Sequence, residues 1–190
     1  MNKAVFFDRD GVLNIDKDLI TDINQIELYN NAANIIAELR QSGFMIFVVT
    51  NQPVVARGLI TETKLEALHE DLKLILLNLN KNAVIDEIAY CPCHPHADLT
   101  QYRRNCENRK PKSGMLLNLA KKYNIDLKRS YMVGDRISDI IAGHRAGCTT
   151  IQCLTGKHTE KPILSDLVVE QEIKPDYVVK DIIELEGIIL

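Results

Sequence analysis

Apolar and polar positions along the chain fall into two alternating rhythms. Short runs rich in β-branched and aromatic residues recur at Ala4 to Phe7, Phe44 to Thr50, Val84 to Tyr90, Tyr131 to Val133, Thr149 to Cys153 and Tyr177 to Val179, and each predicts a strand. Between them the spacing becomes helical. Ala32, Ile35, Ile36 and Leu39 fall at i, i+3, i+4 and i+7 with Gly43 as a stop. Leu65, Leu68, Leu72, Ile75, Leu76 and Leu79 make a longer stripe behind the candidate caps Thr61, Glu62 and Thr63. Ser113 opens a third helix with an apolar face of Leu116, Leu119, Ala120 and Tyr123. Ile137 to Ala146 predicts a fourth ending at Gly147, and Asp181 to Leu190 a last one. Strands alternating with helices predict an α/β protein, a three-layer Rossmann-like parallel sheet with helices on both faces.

Two stretches break the rhythm. Residues 14–31 are polar without a clear period, and residues 91–114 carry Cys, His, Pro and basic residues with almost no apolar content. Loops this long in a compact domain are usually functional. In an open parallel sheet, ligands bind beyond the carboxyl ends of the strands. Asp8 and Asp10 follow the first strand, and Thr50, Asn51 and Gln52 end the second. Gly134, Asp135 and Arg136 follow the fourth, with Asp139 just beyond. Any one of these aspartates could equally be a helix cap or a turn residue. Three of them converging with a threonine, and with Arg109 and Lys110 supplied by the long loop, suit a Mg²⁺ site beside a phosphate, because Mg²⁺ takes hard oxygen ligands and shares them with substrate phosphate.

Composition narrows the classes. A length of 190 residues predicts one domain, residues 1–190, with a Cys/His-rich loop at 91–110. The 23 Lys and Arg against 26 Asp and Glu give a formal net charge of −3, so no basic field exists to hold nucleic acid. No apolar run approaches the roughly 18 residues that span a bilayer, and the N-terminus lacks the basic-then-apolar layout of a signal peptide. A cytoplasmic monomer without membrane contact is the expectation. Of the 5 cysteines, Cys91, Cys93 and Cys106 crowd together, which in a reducing compartment suggests metal before disulfide. Cys148 and Cys153 read as core residues, while His69, His144 and His158 carry no comparable signal.

The stretches "FFDRDGVLN", "VVTNQ", "RKPKSG" and "GDRISD", in this order and at these separations, resemble the four signature motifs of the haloacid dehalogenase superfamily of phosphohydrolases. The likeness covers roughly residues 3 to 155. The cysteine loop before "RKP" is similar to that of the small capless branch holding heptose bisphosphate and histidinol-phosphate phosphatases. The resemblance implies that Asp8 is a nucleophile forming an aspartyl phosphate and that Asp10 is the acid and base. It also implies that Asp8, the backbone carbonyl of Asp10, and Asp135 hold Mg²⁺. Thr50 and Lys110 would stabilise the phosphoryl charge, and Asn51, Gln52, Arg109 and Arg136 would meet the substrate. Repulsion between neighbouring carboxylates is expected to leave Asp10 the protonated one of the pair. Asp139 would orient Lys110 or Arg136.

Members of this branch carry four Cys and His ligands to a structural Zn²⁺ on the cysteine loop. The matching positions here are Cys91, Cys93 and Cys106, but the fourth falls on Asn108, a poor Zn²⁺ ligand, so His96 is expected to complete the set ahead of His94 or water. Two further departures touch the substrate side: "PVVARG" after "TNQ", where Pro53 removes a backbone donor, and "DKDLIT" at 16–21. The implied function is hydrolysis of a phosphorylated sugar such as a heptose bisphosphate. Histidinol phosphate is the alternative substrate, and a noncatalytic phosphosugar-binding domain is the alternative of another class.

Overall fold

The computed structural model describes residues 1–159 and 173–190. Among the described residues lie six strands, β1 (Lys3–Phe7), β2 (Phe44–Asn51), β3 (Glu87–Cys91), β4 (Tyr131–Gly134), β5 (Thr149–Cys153) and β6 (Tyr177–Val179). They form one parallel sheet in the order β3-β2-β1-β4-β5-β6. The helices are α1 (Ala32–Gln41), α2 (Pro53–Ala56), α3 (Glu62–Leu79), α4 (Gly114–Tyr123), α5 (Ile137–Ala146) and α6 (Glu186–Ile189).

Alternation along the central strands divides the core in two. Val5 and Phe7 of β1 pack with Ile36 and Leu39 of α1, Leu72 and Leu76 of α3, and Leu185 on one face. Ala4 and Phe6 face the other way, onto Leu116 and Leu119 of α4 and Ala142 of α5. A strand whose successive side chains are all buried on opposite faces needs a helical layer on each, which is why the sequence runs apolar without alternation. The sheet thus has the three-layer Rossmann-like form that the alternating pattern predicts.

Three elements differ from the sequence pattern. β3 begins at Glu87 and not at Val84, because the Asp86 carboxylate accepts the Ile46 N–H (2.7 Å) and the Arg40 guanidinium (2.5 Å), displacing the regular ladder at its entry. The "PVVARG" segment forms the short helix α2, with Pro53 in the first turn, where its missing N–H loses no bond. The last helix is split into a 3-10 turn, Ile182–Leu185, and α6.

The order of strands reverses between β1 and β4, the crevice where open α/β sheets bind ligands. Asp8 and Asp135 emerge there side by side, and the Asp8 N–H donates to the Val133 carbonyl (2.8 Å), extending the β1–β4 ladder by one step.

Candidate active site

Asp8 sits at the carboxyl end of β1 and lines a cavity of about 570 Å³ together with Asp10, Thr50, Asn51, Arg109, Lys110 and Arg136. The turn after it is set by Gly11, whose φ of +86° is left-handed. A Cβ on Gly11 would also lie 2.6 Å from Asp135 Oδ2, so this position admits no side chain.

Lys110 reaches the floor of the cavity from the 91–114 loop. It is buried, and its ammonium meets Asp8 Oδ1 at 3.0 Å, Asp139 Oδ1 at 2.6 Å and the Val49 carbonyl at 2.7 Å. Its backbone is fastened to β2 by a reciprocal pair: Asn51 Nδ2 donates to the Lys110 carbonyl (3.0 Å) and the Lys110 N–H donates to Asn51 Oδ1 (3.1 Å). Burial opposes the lysine's charge, but Asp139 and Asp8 outweigh it and hold the ammonium above its ordinary range. Asp139 also accepts the Arg136 N–H at 3.0 Å, so it serves both basic residues.

Carboxylate oxygens of Asp8, Asp135 and Asp139 lie within 4.8 Å of one another. Burial raises the Asp8 carboxyl, Lys110 opposes it, and Asp139 and Asp10 add to the rise, giving about 6. Burial, then Asp139 and Asp8, push Asp135 up to about 8. Asp135 Oδ1 is buried without a hydrogen-bond partner among the described residues. An aggregate of hard oxygen donors with excess negative charge and an unsatisfied buried oxygen fits a Mg²⁺ ion.

Asp10 behaves differently from its neighbours. Its carboxylate accepts Arg9 Nη2 (2.9 and 2.7 Å), Arg9 Nε (3.1 Å), Asn14 Nδ2 (2.9 Å) and Gln52 Nε2 (2.9 Å). Burial alone would raise it, yet the Arg9 guanidinium and these donors hold it below the ordinary carboxylate range. The expected order is therefore reversed: Asp8 is the raised carboxyl and Asp10 the lowered one, because burial dominates at Asp8 whereas the charge and bonds of Arg9 outweigh burial at Asp10.

The other sequence-predicted residues divide. Thr50 is buried on the cavity wall and accepts Gln52 Nε2 at 2.9 Å. Gln52 is itself buried and turns its amide to Asp10 and Thr50 instead of to substrate space. Arg109 lines the cavity and its Nη1 donates to the Cys93 carbonyl at 2.9 Å. Arg136 lines it too, paired with Asp16 at 3.1 Å, while Lys157 bridges Asp16 and Asp18.

The cysteine loop departs from the expected four-ligand arrangement. Sulfurs of Cys91, Cys93 and Cys106 lie within 4.8 Å of one another, but Cys93 and Cys106 are joined as a disulfide and Cys91 is a buried thiol. His96 does not belong to this cluster. Both His94 and His96 line the cavity of Asp8. Asn108 borders the cysteines in a separate cleft, and its Oδ1 accepts Asn118 Nδ2 at 3.1 Å. Cys148 and Cys153 are buried in the core, their thiols pushed up to about 12, chiefly by burial.

Two site residues carried no recognised signal in the sequence. Arg9 lies between the two aspartates and is fully buried, and His69 approaches it from α3 with Nε2 3.2 Å from Arg9 Nη1. Position 69 falls four residues after Leu65 and three before Leu72, on the apolar stripe of its helix, and a polar residue on that stripe was the readable sign. Burial first, then Arg9, lower the His69 imidazole to about 3, with Asp10 opposing and Lys73 adding to the fall. The unfolded chain then binds a proton that the native state refuses between pH 3 and the ordinary imidazole range, so stability drops as pH falls through that window. Denaturation midpoints of His69→Gln are expected to fall less steeply with acid, the wild type losing up to about 1.4 kcal/mol more per pH unit. Parallel pH profiles of the two proteins would contradict this.

Comparison with known proteins gives the same architecture and chemistry a family. The HAD-hydrolase-like family model matches residues 107–185. A D-glycero-β-D-manno-heptose-1,7-bisphosphate 7-phosphatase of Haemophilus ducreyi is 35% identical over 184 residues, covering 96% of each chain. The enzyme of the same name from Haemophilus influenzae is 36% identical over 189 residues, 100% of this chain and 97% of the other. A crystal structure of the D,D-heptose 1,7-bisphosphate phosphatase from B. bronchiseptica complexed with magnesium and phosphate superposes with a TM-score of 0.81 at 28% identity, over 97% of this chain and 96% of that one. Relatives of this similarity, aligned from end to end, settle the lineage: the chain belongs to the haloacid dehalogenase-like hydrolases, and it is a phosphatase.

Proposed function

We propose that the chain, as a single domain, removes the 7-phosphate of D-glycero-D-manno-heptose 1,7-bisphosphate with Mg²⁺ bound. The observation that carries the chemistry is the Asp8 carboxylate, 3.0 Å from a buried ammonium at the floor of a cavity that Asp10 also lines. Asp8 attacks phosphorus, the bond to the leaving oxygen breaks, and Asp10 supplies that oxygen with a proton. Water then attacks the aspartyl phosphate and gives its proton to Asp10, freeing Asp8 and inorganic phosphate. The Arg9 clamp suits Asp10 to the second, proton-accepting role. In the first step the negative charge of the arriving phosphate works against the clamp and favours the proton. Thr50 and Lys110 hold the charge of the transferring group. Asp8, Asp135 and the backbone carbonyl of Asp10 would hold Mg²⁺, which neutralises charge on the phosphoryl oxygens when bound.

The substrate assignment is supported by the names of the relatives aligned from end to end and by the cavity lining, which includes Arg57, Arg109, Lys112 and Arg145. Four cations are more than one phosphate on the floor requires, and they suit a second phosphate at the far end of a sugar. The test is phosphate release with Mg²⁺ from the heptose bisphosphate, its 1-phosphate and histidinol phosphate. The bisphosphate is expected to lead clearly, and equal slow release from all three would reject the assignment. Arg109→Met is expected to raise KM for the bisphosphate about 10- to 100-fold, the worth of one charged hydrogen bond, and to change KM for a monophosphate much less. Equal changes on both would show that Arg109 does not meet the second phosphate.

With the Cys93–Cys106 bond reduced, the three clustered thiolates would hold Zn²⁺, with Asn108 or water at the fourth position. Burial raises the Cys91 thiol, and a metal would favour the thiolate again. Protein purified under reducing conditions is expected to carry close to one Zn²⁺ per chain, lost in Cys91→Ala. Metal content far below stoichiometric in the wild type would contradict this.

A further inference from the structure

Asp10 is held from behind by a side chain that never reaches the cavity. Arg9 is 0% exposed, and three of its contacts go to the Asp10 carboxylate. A guanidinium has five donors and no acceptor, so the remaining nitrogen, Nη1, needs a partner of its own inside the protein. His69 Nε2 lies 3.2 Å away. Because arginine only donates, Nε2 must carry the lone pair and the ring proton must sit on Nδ1. The ring of His69 leans on Tyr90 with centroids 5.6 Å apart, and the Tyr90 hydroxyl is fixed in turn by Glu62 (3.1 Å) and Glu66 (2.8 Å).

This arrangement is not what packing alone selects. His69 occupies a place on the apolar stripe of α3 that a leucine would continue, and a buried arginine is tolerable only when its donors are satisfied. We propose that Arg9 and His69 are positioning residues that aim the Asp10 carboxylate at the oxygen it serves, His69 acting through Arg9. The inference rests on the reading of Asp10 as the proton-transfer group of a phosphomonoesterase.

Removing the acceptor at position 69 leaves Nη1 buried and unpartnered, so the guanidinium turns toward another oxygen and Asp10 loses its alignment. Asn14 and Gln52 still hold the carboxylate in place, which limits the effect to its direction. In forming the aspartyl phosphate, alignment matters where the leaving oxygen needs a proton, as in an alkyl phosphate, and hardly at all where it leaves as a stable anion, as in p-nitrophenyl phosphate; the hydrolysis that follows is common to both substrates.

The experiment measures kcat/KM, which covers the steps through departure of the leaving group, for the Mg²⁺-loaded enzyme on a sugar phosphate and on p-nitrophenyl phosphate, in the wild type, His69→Leu, His69→Gln and Asp10→Asn. His69→Leu is expected to lose about 10- to 100-fold in kcat/KM on the sugar phosphate, part of the effect of a general acid. Its loss on p-nitrophenyl phosphate should be below about threefold, and His69→Gln, which restores an acceptor, should recover most of the sugar phosphate activity. Equal losses on both substrates, no loss on either, or a folded His69→Gln no better than His69→Leu would overturn the inference. Should His69→Leu fail to fold, Arg9→Lys keeps the charge, loses the fork and carries the same comparison. Asp10→Asn separates the two levels of the argument. If it lowers kcat/KM of both substrates alike, the role of Asp10 as acid is wrong; if it discriminates between them while the position 69 variants do not, only the positioning pair falls.

Discussion

Asp8→Asn is expected to lower turnover by about 10⁴- to 10⁶-fold, the range seen when a covalent nucleophile is removed, while substrate affinity stays within a few-fold. Asparagine keeps the shape of the side chain and an oxygen that can still accept the Arg9 N–H, which meets Asp8 Oδ1 at 2.7 Å, and the Lys110 ammonium. Lys110 also retains Asp139 and the Val49 carbonyl, so the floor of the cavity keeps its framework. What disappears is the proposed nucleophile. Steady-state kinetics set beside calorimetric binding of inorganic phosphate would separate the two effects. Turnover close to that of the wild type would leave the chain's phosphatase activity to another group, and an unchanged, very low rate in both proteins would favour a binding module.

Lys110→Met is the second large effect, and it reaches stability as well as rate. The ammonium is the shared partner of Asp8 and Asp139 in a buried setting, and a neutral side chain of similar length leaves both carboxylates uncompensated. Two terms compete. Desolvation of the lysine is relieved, but two buried anions lose their cation, and removing one member of a buried ion pair typically destabilises by about 3–5 kcal/mol. The second term dominates because the carboxylates remain where they were. For a protein of this size that corresponds to a fall in Tm of about 6 to 20 °C. Loss of one fixed donor to the transferring group should also lower kcat by about 10²- to 10³-fold. Thermal melts and kinetics of the same preparation check both, and an unchanged Tm would show that the Asp8 and Asp139 charges are compensated elsewhere.

Much of this was legible in the chain because the signals were periodic or local. The six strands and the long helices followed from runs such as Ala4 to Phe7 and the stripe from Leu65 to Leu79, whose burial needs no knowledge of the partner. The gathering of Asp8, Asp135 and Lys110 followed from strand-end placement plus the order of motifs. Pairwise electrostatics between groups distant in sequence was not legible. The protonation order of Asp8 and Asp10 depends on where the Arg9 side chain turns, and that depends on His69, 60 residues away. The destination of His96 is of the same kind: with Asn108 at the fourth ligand position it was expected to complete a metal set with the cysteines, whereas both His94 and His96 line the cavity of Asp8. Spacing along a loop without apolar anchors does not determine which way its side chains face. Gln52 likewise ends a motif expected to meet substrate, yet its amide donates to Asp10 and Thr50.

The central claim is the transient bond between Asp8 and phosphorus, and rapid acid quenching followed by peptide mass spectrometry tests it most directly. Enzyme mixed with Mg²⁺ and the heptose bisphosphate, and quenched within one turnover, is predicted to yield a peptide heavier by one phosphoryl group with the modification on Asp8, appearing and decaying at rates that account for turnover. Phosphate released at the normal rate with Asp8 unmodified throughout, or with the phosphoryl group on a different residue, would contradict the account.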